Sequence, residues 1–139
     1  MIKNEKVKFA RNLERGYQCV QDGKKAIEIY LEEASKQDSS AMLYLSKNFI
    51  KGNFVQKNIE LGLKYLQKSI DLDNPQAMCI MGVYLRQGLI VEKNLEKTIE
   101  LFDKAIDLGY PDAYFHKGFL YEKGIFYPIG FFLNNFKIY

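Results

Sequence analysis

Residues 77–109, AMCIMGVYLRQGLIVEKNLEKTIELFDKAIDLG, decide the fold. Ala77, Met81 and Leu85 recur every four residues, which predicts a helix with one apolar face. Gly82 lies inside that helix, where glycine costs about 1 kcal/mol relative to alanine; its presence implies the close approach of a partner helix. Gly88 is placed to end the helix in a left-handed conformation. In the loop that follows, Val91 is expected to tuck beneath the hairpin. Asn94 is a short polar side chain suited to accept the unpaired N–H groups of a second helix. There Leu95, Thr98, Leu101, Phe102, Ala105 and Ile106 keep the three-four spacing of an amphipathic element, and Gly109 and Pro111 stop it.

The same unit recurs along the chain. Gly16, Gly52, Gly88 and Gly124 are each 36 residues apart, as are Ala41, Ala77 and Ala113; Asp22, Asn58 and Asn94; and Tyr30, Leu66 and Phe102. A fixed period of this length means stacked helical hairpins that bury their apolar faces on one another. The expected architecture is therefore all-α: a solenoid of antiparallel helix pairs forming a single repeat domain over 1–139. Its repeats cover about 5–40, 41–76, 77–112 and a partial 113–129. The first helix of the first repeat is expected over Glu5–Arg15 with Phe9 and Leu13 on the core face. Cys19, at the loop position of Val55 and Val91, is expected to be a small buried residue. After Gly124 the pattern fails. Gly130 stands at the cap position, and residues 130–139 form an apolar tail with Lys137 as the one charge. Three readings of this tail stand: a makeshift cap, a self-association element, or the cut end of a longer array, with the abrupt stop favouring the last.

The pattern Ala-x-x-x-Leu-Gly-x-x-Tyr-x-x-Gly, a loop with Val, then Asp-x-x-Lys-Ala-x-x-x-Tyr-x-x-Ala, resembles the Sel-like repeat family, relatives of tetratricopeptide repeats. Ala77, Met81, Gly82, Leu85, Gly88, Val91, Asn94, Lys97, Phe102 and Gly109 take those places, with Tyr121 in the fourth unit and Lys25, Ala26 and Tyr30 in the first. The resemblance covers about residues 5–129. It departs at the second loop glycine, replaced by Phe54, Ile90 and Phe126; at the helix glycine, replaced by Ser46; and at Lys117, which stands where Leu45 and Met81 are apolar. The resemblance implies α/α hairpins in a right-handed superhelix, and a scaffold or adaptor that assembles protein complexes.

Composition narrows the function classes. The chain is 47% hydrophobic and 27% charged, with net charge +3. Residues 1–25 hold seven Lys/Arg against three Asp/Glu, so the basic excess is N-terminal rather than a stripe along the array, and nucleic acid is not an expected partner. The first residues lack an apolar core followed by a cleavage site, and no apolar run is long enough to span a membrane, so no signal peptide, a cytoplasmic protein and no membrane partner are expected. Cys19 and Cys79 form no repeating pair and suggest no disulfide framework.

Catalytic chemistry finds few candidates. His116 is the sole histidine and must serve either cysteine. Metal-ligand spacings and phosphate loops are missing. The expectation is no enzyme, no metal and no cofactor; an enzyme would need His116 beside a carboxylate and a cysteine in a pocket. What remains is a surface. If the first helices line the concave side, their third, seventh and tenth residues form a row: Leu43, Lys47 and Ile50; Cys79, Val83 and Arg86; Phe115, Phe119 and Glu122; extended by Val7, Arg11 and Glu14. Apolar anchors with Lys and Arg beside them suit an extended peptide or a helix of a partner protein. Leu43, Val83 and Phe115 fit a core role equally well, whereas Lys47, Arg86 and Phe119 fit the groove. The alternative function is self-association through the aromatic tail.

Overall fold

In the computed structural model, residues 3–124 are described, and the tail at 130–139 lies outside them. Seven α-helices follow one another: α1 (Glu5–Arg15), α2 (Gly23–Ser35), α3 (Ser39–Lys51), α4 (Ile59–Asp71), α5 (Pro75–Gln87), α6 (Leu95–Asp107) and α7 (Asp112–Glu122). They form antiparallel pairs with the expected period. The chain divides into two compact units, one ending at Ala77 and the other starting at Met78, with the division inside α5.

Local chemistry sets the helix ends. Asp22, Asn58 and Asn94 accept the backbone N–H of Lys25, Leu61 and Lys97 at 3.0 Å, satisfying donors that a helix start leaves open. Gly16, Gly52 and Gly88 end the first helices at φ of 67°, 75° and 67°. The first helices of the second and third repeats begin two residues before the expected borders, because Asp38 and Asn74 cap them through the N–H of Ala41 and Ala77. α7 lacks such a cap: Pro111 stands at its start with no side-chain cap bond.

In unit 1, α1 packs on α2, α2 on α3 and α3 on α4. The core gathers Val7, Ala10 and Leu13 of α1, Ala26, Ile27, Tyr30 and Ala34 of α2, and Ala41, Met42, Tyr44 and Leu45 of α3. Three expectations for the first repeat fail here. Phe9 is 47% exposed, while Val7, placed in the surface row, is fully buried. Phe9 is the register equivalent of Leu45, but α3 is packed by both α2 and α4, and α1 offers its inner face to α2 through Val7, Ala10 and Leu13. Cys19 is exposed rather than buried. Its loop turns through Gln18 at φ 57° and leaves Cys19 and Val20 in solvent.

The departures from the repeat pattern have structural answers. Phe54 takes φ 59°, the left-handed region that explains a glycine at this place, and its ring lies against Gly23, where a Cβ would come within 2.0 Å of it. The loss of glycine at Ser46 is balanced on the opposite helix. A Cβ on Gly62 of α4 would lie 3.1 Å from the Ser46 carbonyl oxygen and 2.5 Å from Ile50 Cγ1. In unit 2 the glycine is on the first helix: a Cβ on Gly82 would meet Phe102 Cε1 at 2.5 Å, and Thr98 Oγ1 donates to the Gly82 carbonyl at 3.2 Å. Each pair thus crosses closely at one register point, with one glycine supplied by either partner. Lys117, in an apolar register place, turns its ammonium to Asp103 at 2.5 Å.

Candidate functional site

The row of first-helix residues separates by burial. Leu43, Ile50 and Cys79 are 1%, 6% and 3% exposed and belong to the interior. Lys47, Val83, Arg86 and Phe119 are half-buried, and Phe115 and Glu122 are exposed. The reason is that a helix flanked on both sides buries far more than one stripe: α3 is buried continuously from Ala41 to Ser46.

In unit 1 the surface centres on Tyr44. Its ring stacks on Tyr30 with centroids 5.4 Å apart. The Arg11 guanidinium carbon lies 4.6 Å from the Tyr44 centroid and the Lys47 ammonium 5.5 Å from it, both within cation–π range. Glu14 sits beneath. It accepts from Arg11 at 2.8 Å, from the Tyr30 hydroxyl at 2.7 Å and from Asn48 Nδ2 at 3.2 Å. Burial first, then the hydrogen bond to Glu14, pushes the Tyr30 hydroxyl well above the ordinary tyrosine range. Lys47 is held below the usual lysine value by burial and by the neighbouring cations Arg11 and Lys51. Asn48 donates to Glu14 and to the Tyr44 carbonyl, and its buried Oδ1 has no hydrogen-bond partner among the described residues.

Unit 2 repeats the stacking with other side chains. Phe102 and His116 occupy the register places of Tyr30 and Tyr44 and stack with centroids 5.5 Å apart. Phe115 meets His116 edge-on at 5.9 Å. Phe119 is approached by Arg86 at 4.6 Å and by Lys123 at 5.7 Å. Arg11, Glu14 and Lys47 were visible in sequence as row positions. Tyr44 and Asn48 were not, although an asparagine in the middle of an apolar helix is the signal of a buried hydrogen-bonding role.

Asp112 acts electrostatically on both Cys79 and His116. Burial, with Asp112 second, pushes the Cys79 thiol up to about 11, the reverse of what a nucleophile requires. Among the described residues no group of three or more His, Cys, Asp or Glu is placed to hold a metal ion, and no helix is long and apolar enough to cross a membrane. Two hollows of about 430 and 480 Å³ lie beneath equivalent loops, one lined by Leu85, Val91 and Asn94, the other by Phe49, Val55 and Asn58.

Several solved structures resemble this one. A Sel1 repeat protein from Oxalobacter formigenes superposes with TM-score 0.78 at 24% identity, over 86% of this chain and 49% of that one. The protective antigen c5321 of uropathogenic Escherichia coli, described as displaying an SLR fold, gives 0.73 at 20% identity, over 86% of this chain and 26% of that one. The Helicobacter pylori cysteine rich protein B gives 0.63 at 20% identity, over 80% of this chain and 96% of that one. The chain therefore spans about half the length of the first and a quarter of the second. No curated protein matches the sequence. The family model for the Sel1 repeat matches twice, at residues 39–74 and 75–110. These matches cover α3 to α6, whose caps and close crossings carry the 36-residue period. Sel1 repeat proteins are in general protein-interaction scaffolds. The chain belongs to the Sel1 repeat family.

Proposed function

We propose that this chain is a non-catalytic adaptor that holds a partner protein or peptide on the accessible part of its first-helix row. Unit 2 offers Val83, Arg86, Phe115, Phe119 and Glu122 for this contact, and unit 1 by itself offers Lys47. The observation that carries this reading is the aromatic pair of α7. Phe115 is 74% exposed, and Phe119 stands half-exposed beneath the Arg86 guanidinium. Exposed aromatic rings and arginine are the side chains that most often dominate binding energy. Held on helices, they are already ordered before a partner arrives, which lowers the ordering cost of association. Rim charges such as Lys47 and Glu122 set orientation and association rate.

This role needs no cofactor, no metal, and neither nucleic acid nor membrane. We infer a cytoplasmic protein, a compartment in which two free thiols stay reduced. The test is affinity capture from lysate of the source organism with the wild type and with Val83→Asp/Phe119→Asp, alongside circular dichroism. A partner held by the wild type and lost by a folded double variant supports the reading. Equal capture by both, or none by either, defeats it.

A further inference from the structure

Helices α1 and α3 of unit 1 carry four cations in matching register. Arg11 and Arg15 stand one turn apart on α1, and Lys47 and Lys51 stand 36 residues further on at the same places of α3. Arg11 and Lys47 lie over the Tyr44 ring. Arg15 acts on the same tyrosine, and Lys51 on Lys47. The one carboxylate among them, Glu14, is already engaged by Arg11, Tyr30 and Asn48. Among the described residues no carboxylate lies within ion-pair distance of Arg15, Lys47 or Lys51. Elsewhere in unit 1, Lys6 and Lys36 pair with Glu32 and Glu33. The equivalent places in unit 2 hold Val83, Gln87, Phe119 and Lys123, a single cation. The four-cation grid is therefore a feature of unit 1.

We propose that this grid docks an acidic stretch of a partner polypeptide, its carboxylates bridging Arg15, Lys47 and Lys51 with the Tyr44 ring beneath. The inference rests on the adaptor reading and names the partner chemistry for unit 1. Charge complementarity selects the occupant: like charges held together without counter-ions repel, and an anionic partner relieves that repulsion while guanidinium and ammonium groups give it directed hydrogen bonds. A polypeptide is favoured over nucleic acid because the grid is four side chains rather than a stripe along the array. Beyond residue 25 the chain holds thirteen Lys/Arg against fourteen Asp/Glu.

The test uses a fluorescein-labelled oligoglutamate peptide, read by fluorescence anisotropy against the full chain. Binding should weaken about tenfold or more in Arg15→Gln/Lys47→Gln/Lys51→Gln. It should also fall steeply between about 50 and about 300 mM salt, as screening shortens the reach of the charges. The control with equal charge loss, Lys93→Gln/Lys97→Gln/Lys104→Gln, removes exposed lysines of unit 2 and should bind as the wild type does. Circular dichroism confirms folding of both. No binding by the wild type, equal weakening in both variants, or tighter binding of an oligouridylate of the same charge overturns the proposal. Oligoglutamate left unbound by a chain that captures a partner through Val83 and Phe119 overturns the charge proposal alone and leaves the adaptor reading standing.

Discussion

Leu43 and Phe115 hold the same place in their repeats, yet Leu43 is 1% exposed and Phe115 74%. One residue earlier the contrast repeats: Met42 is 3% exposed and Tyr114 64%. The difference is not in hydrophobicity, since the more exposed residue of each pair is as large and as aromatic as a core could use. It lies in the neighbours. α3 is packed by α2 and by α4, whereas α7 packs on α6 among the described elements. In a repeat protein a side chain's burial is a property of the stack, and the same register place serves as core in one unit and surface in another.

The largest expected effect breaks that comparison directly. Leu43→Ala should destabilise by about 2–5 kcal/mol, the range for emptying a packed core site, while Phe115→Ala should change stability by no more than about 0.5 kcal/mol. Urea unfolding of the two variants reads both numbers. Equal losses would mean that Phe115 is covered in solution. Cys79 is the third residue at this place and 3% exposed, so it supplies a second readout. A thiol reagent should modify Cys19 at once and Cys79 only as the protein opens, since burial also pushes the Cys79 thiol up to about 11. Prompt modification of both would contradict the packing of α5.

Glycine sharpens the comparison by reversing sign. A Cβ on Gly82 would strike the Phe102 ring, which is 1% exposed, whereas a Cβ on Gly118 meets nothing within 4 Å among the described residues. Gly82→Ala should therefore cost about 1–3 kcal/mol by overpacking. Gly118→Ala should stabilise by about 0.5–1 kcal/mol, because α7 gains helix propensity and loses no space. Thermal unfolding of the pair gives the signs, and a loss in both would place a neighbour against Gly118.

These cases also mark what the sequence could say. Helix ends were legible, because a cap is a local hydrogen bond that needs only Asp or Asn at the right offset, as at Asp22, Asn58 and Asn94. So was the close crossing at Gly82, since a mid-helix glycine needs a reason. Its counterpart was not: Ser46 read as a lost glycine, and the compensating Gly62 lies on the facing helix, visible only once the crossing point is known. In the candidate site, Lys47, Arg86 and Phe119 read as surface from their place beside the core face, and they are half-exposed. Leu43, Ile50 and Cys79 were illegible for the reason α3 is buried almost all round: amphipathic analysis assumes one packed face, and a helix within a stack has two. Phe9 fails in the opposite direction, an apolar residue in a core register on a helix that packs on α2 through Val7, Ala10 and Leu13.

Helix starts give a smaller contrast. Asp38 caps α3 through the N–H of Ala41 and also accepts from Asn4 Nδ2 at 3.2 Å, whereas α7 starts at Pro111 without a side-chain cap. Asp38→Ala should cost about 1 kcal/mol. Amide exchange in the first turn of α3 should then rise toward the rate in α7; unchanged exchange would show that the tertiary contacts of α3, not its cap, hold that turn.

The smallest effect distinguishes the two stacked pairs, Tyr30 on Tyr44 and His116 on Phe102. The tyrosines stay neutral across the physiological range, since burial raises both above their ordinary value. His116 is held below its ordinary value, first by burial against the rings and then by the Arg86 charge, with Asp112 opposing. The folded state therefore binds fewer protons than the unfolded chain as pH falls through the ordinary histidine value. Stability contributed by the neutral ring is present above that pH and is lost below it, down to the folded-state value. Unfolding of the wild type should thus become easier between pH 7.5 and about 5.5, and His116→Phe, which keeps a ring on Phe102 without a proton site, should flatten that slope. The Tyr44→Phe variant should leave the slope unchanged, because the groups of unit 1 that titrate in this window do not include its hydroxyl. If His116→Phe keeps the wild-type slope, the proton enters elsewhere and the stack on Phe102 does not set the acid response of unit 2.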